Sequence, residues 1–93
     1  MLKISKRSGS GIPIVLYLEG QVVGPWVDEL RRACAEAAGS ADGRRLILDL
    51  SGVSFLDADA IALFHQLVTD HVSIANYSVF VGAQLKEVSD VDR

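Results

Sequence analysis

The chain has a single cysteine, Cys34, and only two prolines, Pro13 and Pro25. One thiol leaves no partner for an internal disulfide, so packing alone has to hold the fold. The eight glycines are scattered, at positions 9, 11, 20, 24, 39, 43, 52 and 82, without the glycine-rich loop and lysine that cradle a nucleotide's phosphates. Nucleotide hydrolysis therefore has no support. Basic residues are outnumbered nine to twelve, the formal net charge is −3, and no basic run is longer than Lys6-Arg7 or Arg44-Arg45. That excludes the cationic footprint of sequence-nonspecific nucleic-acid binding, and no nucleic-acid partner is expected. No apolar run approaches the ~20 residues that cross a bilayer, and Lys3, Lys6 and Arg7 interrupt the layout of a secretory signal. A cytoplasmic protein without membrane insertion is the expectation.

What remains is a chain of 93 residues, 49 % of them apolar, which is rich enough to fill one core and too short for two. One domain over residues 1–93 follows. Leu2 and Ile4 alternate before the small flexible stretch Ser8-Gly9-Ser10-Gly11, and the stronger run Ile14 to Leu18 comes after it. This pattern predicts a hairpin of two strands, with Pro13 at the start of the second. Ile14, Leu16 and Leu18 share one face and Val15 and Tyr17 the other, so that strand belongs inside the sheet, and Glu19-Gly20 is expected to end it.

Gly24-Pro25 reads as a helix entrance, with Asp28 and Glu29 in the first turn where the helix dipole favours negative charge. Trp26, Val27, Leu30, Ala33, Cys34, Ala37 and Ala38 then recur at three- and four-residue spacing as an inner stripe, Arg31, Arg32 and Glu36 face away, and Gly39 closes the helix before a turn at Asp42-Gly43. Leu46 to Leu50, apolar on both faces, predicts a central parallel strand, and Ser51 to Leu56 a connector. Asp57 sits where a helix cap belongs. Ala60, Ile61, Phe64, Leu67, Val68 and His71 form the inner stripe of the following helix; Asp59, Gln66, Thr69 and Asp70 face outward. Val72 to Ala75 is the next strand, and from Ser78 the chain is either a last helix with Leu85 and Val88 inward or a continuing strand.

Reactive constellations are few. His65 and His71 are six apart and so diverge in angle on a helix, which removes the i, i+4 pair a zinc site uses, and no metal or other cofactor is expected. Cys34 lies on an apolar stripe, where a thiol is packed and unreactive. Asp57 and Asp59 diverge by about 200° at a helix start, so capping is a simpler use of Asp57 than acid/base chemistry. Trp26 is expected as a core aromatic. No catalytic residue emerges, and the chain is expected not to be an enzyme.

The segment Leu46-Ile47-Leu48-Asp49-Leu50-Ser51-Gly52-Val53-Ser54-Phe55-Leu56-Asp57, followed by the helix from Ala58, resembles the STAS domain of bacterial anti-sigma factor antagonists. Leu18-Glu19-Gly20-Gln21-Val22 extends the likeness, which covers residues 14–88. The resemblance implies a small α/β fold, with a mostly parallel β-sheet and helices packed on one side of it. It also implies a non-catalytic module that docks a protein partner: an anti-sigma factor or kinase-like regulator of transcription or, alternatively, a subunit of a transporter complex for lipid or anions. In the family the aspartate precedes a serine that the partner kinase phosphorylates. Here Ala58 stands at that position, Asp59 at the next hydroxyl and Ala60 at the family's glycine. Alanine has no oxygen to modify, so switching at this site is not carried over. The partner-binding residues expected are Asp57, Ala58 and Asp59, with Leu63 and Gln66 on the helix surface, Leu63 as an outward-facing apolar side chain off the inner stripe. The chain stops at Arg93, earlier than a typical member, which implies a short or absent last helix and a surface that a partner or a second copy, in a homodimer, would cover.

Overall fold

A computed structural model describes residues 2–7, 13–39 and 45–91, with side chains as far as residue 86. Its elements are β1 (Leu2–Arg7), β2 (Ile14–Val22), α1 (Pro25–Gly39), β3 (Leu46–Leu56), α2 (Ala58–Thr69), β4 (Ser73–Ala75) and α3 (Val79–Val91). They form one four-stranded sheet in the order β1-β2-β3-β4, in which β1 is antiparallel to β2 and the other two pairings are parallel. The expected hairpin pairing and the helical crossover between parallel β2 and β3 are present. The turns expected at Ser8 to Gly11 and Asp42-Gly43 lie outside the described residues, as does the side chain of Val88.

The core follows from alternation on the two central strands. Ile14, Leu16 and Leu18 of β2 are buried beside Leu46, Leu48 and Leu50 of β3, while Val15, Tyr17, Ile47 and Asp49 between them are half-buried. Val27, Leu30, Cys34 and Ala37 from α1 and Ala60, Phe64 and Leu67 from α2 complete it, with Trp26 and Ala33 half-buried against it; Ala38, expected inside, is exposed. Fully burying each valine, leucine, isoleucine or phenylalanine among them contributes about 1.5–3 kcal/mol.

Several expectations need correction. Glu19-Gly20 does not end β2, which continues to Val22, and Ser51 to Leu56 is the second half of β3 and no connector. The reason is two register shifts: Tyr17 pairs with Asp49 but Glu19 with Gly52, and Gly20 pairs with Val53 but Gln21 with Phe55. Each shift inserts one extra β3 residue, which breaks the two-residue alternation in the sequence while keeping Val53 and Leu56 on the buried side. Gly52 is required there, because a Cβ would lie 2.7 Å from the Glu19 side chain and 2.9 Å from the Leu18 carbonyl oxygen. Val68 is 54 % exposed and His71 lies beyond the helix end with φ 70°, so neither belongs to the inner stripe. Leu63, expected outside, is buried, because α1, α3 and the sheet all contact α2 and widen its covered face. The last helix is neither short nor absent. α3 spans 13 residues, and the Ser78 hydroxyl accepts from the Val81 N–H at its start.

α3 also takes over an edge that β4 leaves open. β4 pairs only with Ile47, Leu48 and Asp49, so the upper half of β3 has no fourth strand beside it. There the Gln84 side chain accepts from the Leu56 N–H at 3.1 Å and donates to the Leu56 carbonyl at 2.8 Å, as a neighbouring strand would. Losing both partners strands two backbone groups, so Gln84→Ala is expected to destabilise the protein by about 1–3 kcal/mol in urea unfolding, and Gln84→Glu, which sets a carboxylate oxygen against the Leu56 carbonyl oxygen, by at least as much.

Candidate functional site

The parallel strands β2 and β3 end at the same edge of the molecule, where α1 and α2 begin. Asp57 organises this tip. It holds extended backbone angles, its Oδ1 accepts from the Ala60 N–H at 2.8 Å, and its Oδ2 accepts from the Gly24 N–H at 2.8 Å. Its own N–H donates to the Val22 carbonyl at 3.2 Å. One carboxylate thus caps α2 and holds the turn that launches α1. That turn needs a glycine, since Gly24 has φ +55° while the Val23 and Gly24 carbonyls accept from Trp26 and Val27.

With Asp57 spent on backbone donors, the surface is left to its neighbours. Ala58 and Asp59 are exposed, and Gln66 lies two turns along the same outward stripe as Asp59 and Ala62, its amide 3.4 Å from the Asp70 carboxylate. Asp59 makes no hydrogen bond or ion pair to a described residue. The structure therefore gathers Asp57, Ala58, Asp59 and Gln66 on the start and outer face of α2, and it removes Leu63 from that surface.

Two residues escaped the sequence reading. The Phe55 and Phe80 rings stack at the tip, centroids 6.3 Å apart and 26° from parallel, and they are 38 % and 56 % exposed; Val79 beside Phe80 is 92 % exposed. A signal existed for Phe80: an inward stripe through Val81 and Leu85 leaves Val79 and Phe80 on the outer side of α3. None existed for Phe55, whose orientation depends on the register shifts in β3.

The remaining ionisable groups are structural. Asp49 accepts from the Ser51 N–H at 2.9 Å and the Asn76 amide at 2.8 Å, and the backbone bond above all holds its carboxyl below the ordinary range. Its contribution to stability is present above the unfolded carboxyl's pKa of about 3.9 and is lost as the pH falls through the lower folded value. His65 Nε2 is 3.0 Å from the Leu85 carbonyl oxygen and ties α2 to α3 beside an open groove of about 690 Å³ lined by Phe64, Val68, Ile74, Tyr77 and Leu85. Burial pushes the Cys34 thiol up to about 11. Among the described residues no cluster of histidine, cysteine, aspartate or glutamate is arranged to hold a metal ion, and no helix is long and apolar enough to cross a membrane.

Asp57→Ala is expected to destabilise the fold by about 1–2 kcal/mol in thermal or urea unfolding, in the range of a lost helix cap. Cys34 is expected to resist alkylation near pH 8 in the folded state and to react freely once the protein is unfolded, which timed labelling with mass spectrometry measures.

No curated protein sequence matches the chain. A family model, described as the STAS domain, matches residues 3–85.

Proposed function

The chain belongs to the STAS domain family, and we propose that it is a non-catalytic docking module that grips a protein partner with the tip formed by the end of β3 and the start of α2. One observation carries this reading: α2 opens with an exposed methyl at Ala58 and an exposed carboxylate at Asp59 that pairs with no described residue, on a turn fixed by the hydrogen bonds of Asp57. A surface held this firmly loses little conformational entropy on binding. Ala58 also makes the grip constitutive, because a methyl group cannot take the phosphate that would recharge a helix start. Asp57 is a positioning residue in this scheme, and Ala58, Asp59 and Gln66 face the partner.

In the same reading the whole chain is one domain whose helices share one face of the sheet. Supporting this, Leu16 and Leu48 are buried while Val15 and Ile47, on the opposite face, remain half-buried. The partner is a regulator of a sigma factor or a subunit of a transporter; the docking chemistry at the tip is common to both.

The test compares proteins recovered with the tagged chain from its source cell against those recovered with Ala58→Arg, Asp59→Lys. The double variant is expected to melt close to the parent, because exposed charges at a helix start shift stability by only about 0.3–1 kcal/mol. At least one partner is expected to fall about tenfold or more in quantitative mass spectrometry. Identical profiles from parent and variant would refute docking through this turn.

A further inference from the structure

Resting on the docking surface proposed above, we infer that the stacked pair Phe55–Phe80 is its apolar anchor, and that the partner contributes a segment with apolar side chains flanked by lysine or arginine. Three features of the structure converge on this. First, the pair is exposed by construction and not by fraying: the register shifts in β3 turn Phe55 outward, and the Gln84 clamp on Leu56 holds α3, and with it Phe80, against the strand. Two large rings half in water beside a nearly bare Val79 make an apolar patch of the kind that centres protein interfaces.

Second, the patch is continuous with the α2 turn. Phe55, Leu56, Asp57, Ala58 and Asp59 are consecutive, Leu56 is bonded to α3 and Asp57 to the start of α1, so the aromatic pair and the exposed residues of α2 belong to one rigid end of the molecule.

Third, the carboxylates on that end have no described cation paired with them. Asp57 and Asp59 form no ion pair with a described residue. None of the described cations is paired with them: Lys86 of α3 lines the groove beside Phe64, His65 and Val68, and the others are engaged or at the far end of the sheet. Lys3 faces Glu19 at 3.9 Å, Arg31 pairs with Asp28, and Arg32 pairs with Glu29 at 3.1 Å. Lys6, Arg7 and Arg45 lie at the opposite end of the sheet, where Arg7 pairs with Val15 and the Arg45 carbonyl accepts from Ile14. An apolar centre beside the Asp59 carboxylate, which pairs with no described residue, selects a partner surface of opposite charge, and the faces of phenylalanine rings favour a cation over an anion. A second copy of this chain would bring the same carboxylates against themselves.

Photo-crosslinking in the source cell tests this with the full chain, carrying a photoreactive phenylalanine analogue at position 80 or at position 58. Both positions are expected to link to the same protein, and the peptide joined at position 80 is expected to combine apolar residues with lysine or arginine. Phe55→Ser with Phe80→Ser is expected to weaken the recovered complex about tenfold or more, with salt weakening the parent complex further. Thermal melting of that variant separates lost binding from lost folding; if it fails to fold, Phe80→Ser alone, whose ring is the more exposed, carries the comparison. Crosslinks from position 58 without any from position 80 would overturn the aromatic anchor and leave the docking surface standing. Crosslinks from neither would overturn both. An acidic peptide at position 80, or a second copy of this chain there, would overturn the stated partner.

Discussion

Two helix starts and one strand end meet on a single carboxylate. Asp57 satisfies the Ala60 and Gly24 N–H groups with its two oxygens and donates its own N–H to Val22. Each first turn of a helix carries unpaired donors, and packing two such turns side by side would ordinarily leave them facing each other with like partial charge. A shared acceptor removes that conflict. The geometry of the whole tip, including which neighbours of Asp57 stay exposed, is subordinate to it.

The sequence was most legible where one physical rule acted alone. The both-faced apolar run of β2, the proline entrance and stripe of α1, and the cap at Asp57 were all visible because each depends on residues close together in the chain. β3 was half legible. Leu46 to Leu50 keep the two-residue period, whereas the inserted residues around Gly52 disturb it, and a disturbed period reads as a loop. Whether Tyr77 to Val81 is helix or strand was not decidable from propensity; the Ser78 cap and the packing of Val81 settle it as α3.

The candidate site was legible in chemistry more than in extent. Asp57, Ala58, Asp59 and Gln66 could be placed from the helix period once the cap was recognised, but Leu63 was misplaced, because the width of a buried face depends on how many neighbours a helix has. Neither the Gln84 amide on Leu56, across 28 residues, nor the Phe55–Phe80 stack has a local signature. Both arise from the same circumstance: β4 is too short to flank the end of β3, and α3 occupies the place.

That short fourth strand has a further consequence for the protein in a crowded solution. A long bare sheet border is a template on which foreign chains grow by backbone pairing. Here one border offers only Ser73 to Ala75 before a glutamine side chain closes the strand behind it, and the other is β1, studded with Lys3, Lys6 and Arg7. Among the described residues, the sheet is thus defended against amyloid-like stacking at both margins, by truncation on one side and by electrostatic repulsion on the other.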